Sequence, residues 1–272
     1  MSRPRSRTVS DMEPVYSSVI SLARAVFAAQ GLKFTITGAD NVPRTGGAVM
    51  AINHTGYMDF TYAGLAAQPS KRLVRFMAKD EVFKHRISGP LMRGMHHIPV
   101  DRDAGAASFR EAVSALKNGE IVGVFPEATI SRSFELKEFK SGTVRMAAIA
   151  GVPILPTIIW GSQRVWTKDH PKRLGRSKVP IILSVGEPIA VGRRDDADEI
   201  TELLRTRMVA LLHAAQDSYP PLTGADAVFL PARLGGSAPT PERAAELDAA
   251  ESAARAARRA AKAAGTATET TD

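Results

Sequence analysis

Ala48-Val49-Met50-Ala51-Ile52-Asn53-His54-Thr55-Gly56-Tyr57-Met58-Asp59 begins with five apolar residues, passes through a polar turn and ends on a carboxylate. An unbroken apolar run of this length suits a strand covered on both faces. Asn53-His54-Thr55-Gly56 has turn character. His54 is therefore expected in the turn leaving the strand, with Asp59 on the helix that follows and pointing back. Were both on one helix, positions five apart would diverge by roughly 140° and could not face each other. A histidine exchanges a proton near neutral pH, and a carboxylate on its second ring nitrogen fixes the tautomer and steadies the imidazolium. Taken alone the pair reads more simply as a structural hydrogen bond; as part of a strand, turn and helix it makes the chain a candidate enzyme.

Outward from this stretch, strand-like and helix-like segments alternate between Leu32 and Pro188, the pattern of a helix-covered sheet. Leu32, Phe34 and Ile36 alternate with Lys33, Thr35 and Thr37, which predicts a half-exposed edge strand. Leu73–Ala78 (broken by Arg75), Ile121–Phe125, Ile154–Trp160 and Ile181–Val185 suit buried strands. Phe109, Ala112, Val113 and Leu116 make a helical stripe that Asn118-Gly119 can close in a left-handed cap, and a second helix from about Ser141 ends at Gly151. Asp195 or Asp196 can cap a longer helix whose face is Ile200, Leu203, Leu204, Met208, Leu211 and Leu212. The fold class is α/β: one domain with a largely parallel mixed sheet covered by helices, preceded by an N-terminal amphipathic helix.

Three regions follow. Residues 1–30 carry a basic start and the amphipathic helix, 31–221 the α/β domain, and 222–272 an Ala- and charge-rich tail expected to be a marginal exposed helix or disordered. In the first region Val15, Val19, Leu22 and Val26 run beside a second apolar row, Tyr16, Ile20, Ala23 and Phe27. The helix is too short for the ~20 apolar residues that span a bilayer, so it either covers the domain or lies on a membrane surface. The basic start lacks the apolar core and cleavage site of an export signal.

Composition narrows the chemistry. The 272 residues contain no cysteine, which excludes thiol nucleophiles, disulfides and zinc-thiolate sites. Lys and Arg outnumber Asp and Glu by 36 to 28, so anionic partners are favoured. The basic residues are dispersed with few aromatics between them, which argues against nucleic acid. His96-His97 has no spaced acidic or histidine partner for a metal. Trp160 and Trp166 read as packing or interfacial aromatics.

The run Asn53-His54-x-x-x-x-Asp59 resembles the first signature of the glycerolipid acyltransferase family, the enzymes similar to 1-acylglycerol-3-phosphate acyltransferase. Further stretches match in the same order: Lys79-Asp80-Glu81 through Gly89-Pro90 and Gly94 to Val100-Asp101-Arg102, then Phe125-Pro126-Glu127-Ala128-Thr129, then Val152-Pro153-Ile154-Leu155-Pro156. The resemblance implies His54 as general base toward an acceptor hydroxyl and Asp59 as the group that orients it. It implies Arg102, with Lys79, as cations for the acceptor phosphate, a role suited to a guanidinium fork. It makes Glu127 an acceptor-binding residue or an organiser of nearby cations, makes Thr129 acceptor-binding, and associates Val152, Pro153, Ile154 and Pro156 with the acyl chain, although Gly151–Pro156 reads locally as a helix stop, turn and strand start. Two departures stand out: Ala128 replaces the usual glycine, and Ile130 stands where an arginine often follows the threonine. Arg132 or Lys140 is expected to supply the lost cation. The substrate alcohol serves as nucleophile, so no serine elbow, metal or other cofactor is required beyond acyl-CoA or acyl carrier protein as co-substrate.

The expected activity is acyl transfer from a thioester donor to a glycerol-phosphate or lysophospholipid acceptor at a membrane surface, peripheral or monotopic on the cytoplasmic face, with lysophosphatidic acid the default acceptor. A noncatalytic binder of acidic lipids on the same fold is the alternative from another class.

Overall fold

In the computed structural model, which describes residues 14–101 and 105–268, the apolar runs become strands. These are β1 (Lys33–Thr37), β2 (Ala48–Ile52), β3 (Val74–Lys79), β4 (Ile98–Val100), β5 (Ile121–Val124), β6 (Ile154–Trp160) and β7 (Pro180–Val185). The helices are α1 (Pro14–Gln30), α2 (Asp59–Ala66), α3 (Asp80–Lys84), α4 (Ser88–Gly94), α5 (Gly105–Lys117), α6 (Gly142–Ala150), α7 (Ala197–Asp217) and α8 (Pro241–Thr268). By contacts the chain forms two compact units. One runs to Ile130 and resumes over Glu138–Pro221; the other joins Ser131–Lys137 to the chain from Leu222. The basic Met1–Arg7 stretch lies outside the described residues.

The first unit is an α/β domain around one seven-stranded sheet, ordered β1-β7-β6-β2-β5-β3-β4. Every neighbouring pair is parallel except β6 and β7. β2 is central, with Val49 opposite Ile154 on one side and Ala51 opposite Val124 on the other, and all five of its residues are buried. Parallel pairing brings the C-terminal ends of β2, β3, β4, β5 and β6 to one edge of the sheet. The antiparallel β7, and β1 parallel to it, start at that same edge.

The edge strand predicted from Phe34 and Ile36 is β1, and the buried runs fall within a residue or two of the strands they predict. β4 is an addition: it has three residues, one of them Pro99, and occupies the other sheet edge, where a missing backbone donor is tolerated. Arg75, which interrupts an apolar run, is buried because its guanidinium donates to the Met95 carbonyl at 2.8 Å and pairs with Glu120 at 3.4 Å. Helix ends follow their sequence signals. Gly119 and Gly151 take positive φ after α5 and α6, and Asp196 caps α7 by accepting from the Asp198 and Glu199 amides.

The two apolar rows of α1 separate. Tyr16 and Phe27 are buried, and the Tyr16 hydroxyl donates to the Val74 carbonyl at 2.8 Å. Val15, Leu22 and Val26 face outward. Among the described residues no helix is long and apolar enough to cross a membrane.

In the second unit, α8 carries Asp248 and Glu251, which pair with Arg132 and Lys137 of the Ser131–Lys137 segment. Arg233 adds a pair with Glu135 at 3.1 Å.

Candidate active site

The β2 chain does not stop pairing when it leaves the sheet. The Asn53 side chain continues the ladder, its amide nitrogen donating to the Ile159 carbonyl at 3.0 Å and its oxygen accepting the Ile159 N–H at 2.7 Å. Asn53 is wholly buried, so neither bond competes with water. The next residue, His54, is thereby fixed at the strand's exit and turned toward α2.

Asp59 is the first residue of α2 and is 0% exposed. Its Oδ2 meets His54 Nδ1 at 2.9 Å and accepts the Thr55 and Gly56 amides, each at 2.8 Å. Three donors on one oxygen, at a helix N-terminus, hold the carboxylate still. With Nδ1 engaged by Asp59, the opposite ring nitrogen, Nε2, is the one left to exchange a proton with a substrate. The imidazole stacks on the Phe125 ring at 4.3 Å and retains 21% side-chain exposure, so a substrate can reach it. Behind the carboxylate lies Tyr62, whose phenol is pushed up by burial and then by the Asp59 charge and so remains protonated.

The adjacent strand supplies Glu127. β5 ends at Val124, and the turn Phe125-Pro126-Glu127 brings a buried carboxylate whose Oε1 accepts the His54 backbone N–H at 2.8 Å. Ala128 then takes φ +62°, a left-handed conformation, while Thr129 N–H returns to the Glu127 carbonyl at 2.8 Å. A glycine is the natural occupant of such a position, which is the physical content of the departure seen at Ala128. Ile130 is buried, so the side chain at the expected arginine position points into the core.

A brace that no local pattern announces comes from the connection between β6 and β7. Thr167 Oγ1 donates to the Thr55 carbonyl at 2.6 Å, Tyr57 N–H donates to the Trp166 carbonyl at 3.0 Å, and the Thr55 and Ser162 hydroxyls meet at 3.1 Å. These contacts join residues more than a hundred positions apart. The shared feature that could have flagged them is topological: β6 is the neighbour of β2 and ends at the same sheet edge.

The remaining sequence-predicted residues divide. Lys79 is the exposed last residue of β3, in register with Val100, two positions before Arg102. Arg102 itself lies outside the described residues. Lys140 N–H donates to the Pro126 carbonyl at 3.2 Å, which brings that lysine's backbone to the Glu127 turn. Arg132 sits in an ion-pair cluster. Its side chain, 9% exposed, is committed to Asp248 and Glu251, the latter at 3.0 Å, and an ion-paired guanidinium is already satisfied. Val152 and Pro153 precede β6 and Ile154 opens it, at the opposite end of the sheet from His54, while Pro156 pairs with Ala51, three residues before His54. Ile154 pairs with Val49, five residues before His54, a separation of roughly 16 Å along a strand. Parallel pairing of β2 and β6 dictates this, and the block's visible work is strand initiation: the Val49 amide donates to the Pro153 carbonyl at 3.0 Å. His97 is turned inward, its Nδ1 accepting the Phe76 N–H at 3.1 Å between the Tyr16 and Phe76 rings.

Comparison with known proteins agrees with this fold. The Acyltransferase family model matches residues 33–160, which hold β1 through β6 and the whole His54, Asp59 and Glu127 constellation. The 1-acyl-sn-glycerol-3-phosphate acyltransferase of Bacillus subtilis is 34% identical over 151 residues, covering 55% of this chain and 70% of its own length. The enzyme of the same name from Limnanthes douglasii is 33% identical over 193 residues, covering 68% and 66% respectively. The crystal structure of the 1-acyl-sn-glycerophosphate acyltransferase PlsC from Thermotoga maritima superposes with a TM-score of 0.62 over 75% of this chain and 81% of that one, and at 20% identity it shows the shared fold. The chain belongs to the 1-acylglycerol-3-phosphate acyltransferase family of O-acyltransferases.

Proposed function

We propose that this chain moves a fatty acyl group from an acyl thioester to the free hydroxyl of 1-acylglycerol-3-phosphate, giving phosphatidic acid and a free thiol. The observation that carries the reading is the His54 Nδ1 to Asp59 Oδ2 contact at 2.9 Å, in an imidazole whose side chain stays 21% exposed. In this mechanism Nε2 takes the proton from the acceptor hydroxyl as its oxygen attacks the thioester carbonyl. The imidazolium is stabilised by Asp59 while the tetrahedral intermediate forms. Collapse breaks the C–S bond, and Nε2 returns the proton to the departing thiolate. The enzyme forms no covalent intermediate, and the scheme needs no cofactor.

Lys79, at the end of β3, and Arg102, which lies outside the described residues, are proposed to hold the acceptor phosphate, and the Glu127–Thr129 turn its glycerol. The changed Ala128 and Ile130 keep glycerol 3-phosphate and other lysophospholipids in view as alternative acceptors. A membrane surface as partner is supported by the outward row Val15, Leu22 and Val26 on α1, together with exposed Ile87 and Leu91. Attachment would be peripheral or monotopic on the cytoplasmic face, and nucleic acid has no part in the scheme.

Thiol release from palmitoyl-CoA, with lipid products identified by mass spectrometry across a panel of acceptors, tests this reading. Wild type should form phosphatidic acid, and His54→Ala should lose about 10³-fold or more in rate. Equal thiol release by the two proteins would remove the acyl-transfer mechanism.

A further inference from the structure

The catalytic edge carries a second group of cations that the acceptor scheme leaves unused. β6 ends beside Asn53, so the connection from Gly161 to Val179 begins at the His54 turn. Its first part is the brace ending at Thr167. Its second part reads Lys168-Asp169-His170-Pro171-Lys172-Arg173-Leu174-Gly175-Arg176-Ser177-Lys178, five cations against one carboxylate. Among the described residues Lys172, Arg176 and Lys178 are in no salt bridge with a carboxylate. The segment is nonetheless held in place: Gln30 Nε2 donates to the Leu174 carbonyl and Lys178 N–H to the Gln30 carbonyl, both at 3.0 Å. An excess of cations on a backbone held in place, three of them in no salt bridge, makes a field for an anion.

Aromatic surface lies next to it. The Trp166 and Tyr57 rings approach to 4.8 Å, Lys172 Nζ stands 4.2 Å from the Trp166 ring centre, and Tyr57 is 43% exposed three residues after His54. Planar faces bordered by several cations match a nucleobase carrying phosphates.

Strand order assigns the substrate. Lys79 and Val100 lie on the β5, β3 and β4 side of His54; this basic segment lies on the β6 and β7 side. The acceptor's single phosphate has its described candidate cation, Lys79, on the first side. The other substrate of a thioester reaction is anionic as well when its carrier is coenzyme A, which has a diphosphate, a 3′-phosphate and an adenine. Resting on the acyl-transfer reading, we infer that Tyr57 and the Trp166–Lys178 segment form the recognition surface for the 3′-phosphoadenosine diphosphate end of a coenzyme A thioester. The pantetheine arm then runs from this surface across the Tyr57 turn to His54.

Binding of unacylated coenzyme A to the full chain tests the surface without needing turnover. Of the two tryptophans, Trp160 is 1% exposed, so quenching by the adenine reports on Trp166. Coenzyme A should bind roughly tenfold more tightly than 3′-dephospho-coenzyme A, pantetheine should not bind measurably, and affinity should fall with salt. The combined variant Lys172→Gln, Arg176→Gln, Lys178→Gln should weaken coenzyme A binding roughly tenfold or more and raise the KM for palmitoyl-CoA with the acceptor KM unchanged. If that variant has a lowered thermal midpoint, Lys172→Glu alone serves in its place. Equal binding of coenzyme A and pantetheine overturns the proposal. So does a variant that binds coenzyme A as wild type does but loses affinity for anionic vesicles or for holo acyl carrier protein. Coenzyme A binding with no acyl transfer to any acceptor would leave this surface standing and remove the reading of the reaction.

Discussion

Glu127 Oε1 accepts the backbone N–H of His54 at 2.8 Å, so the carboxylate at the end of β5 ties down the turn at the end of β2. The bond requires an acceptor oxygen, and a glutamine amide provides one. Glu127→Gln should therefore keep the thermal midpoint near wild type, whereas Glu127→Ala should lose about 1–3 kcal/mol by leaving a buried donor unpaired. Denaturation of both variants, with the acceptor KM measured alongside, separates this anchoring role from contact with the acceptor.

Asp59 holds the imidazole through Oδ2, the same oxygen that receives two backbone amides. Asp59→Asn keeps the volume but loses the charge that steadies the imidazolium. A fall in kcat of about 10²- to 10⁴-fold is expected, with the KM values of donor and acceptor nearly unchanged. Steady-state kinetics with each substrate varied in turn checks it.

Ala128, at φ +62°, bears a steric cost of about 1–2 kcal/mol that glycine avoids. Set against the greater freedom of glycine in the unfolded chain, Ala128→Gly should still stabilise by up to about 1 kcal/mol. Calorimetry should show a rise of roughly 2–4 °C in the unfolding midpoint. A drop would mean that the methyl group makes a contact worth more than the strain.

His97, 5% exposed, is pushed down to about 3, first by burial and then by the neighbouring Arg75 and His96 charges. Unfolded, it would titrate near 6.5. Above that pH both states are neutral and stability is independent of this group. As pH falls from about 6.5 toward 3 the unfolded chain binds a proton that the native one refuses, so stability drops by up to about 1.4 kcal/mol per unit. His97→Gln can still accept the Phe76 N–H and has no proton to bind. Urea midpoints between pH 7 and 4 should therefore fall less steeply for the variant than for wild type.

Much of this was legible in the residues because it is local. Periodicity marked six of the seven strands, and the turn residues between β2 and α2 implied that His54 and Asp59 face each other. Motif resemblance pointed to Glu127. What escaped depends on partners distant in sequence. Arg132 looked available until α8 brought Asp248 and Glu251 to it. Gly151–Pro156 reads locally as a helix stop, turn and strand start, and the acyl-chain role came from resemblance alone; the parallel register with β2 shows at which end of the sheet that start lies. Thr167 and Ser162 are ordinary loop residues whose positions matter because β6 neighbours β2. Three-residue β4 is too short to have a period.

By carrying the sheet's pairing one residue beyond the backbone, Asn53 lets the chain change direction without ending its attachment to β6. The cost of ordering the His54 imidazole is thereby met once, during folding, and does not recur in each catalytic cycle. Any substitution at this position that preserves the fold but not both amide contacts should convert a rigid proton acceptor into one that must find its orientation anew for every turnover.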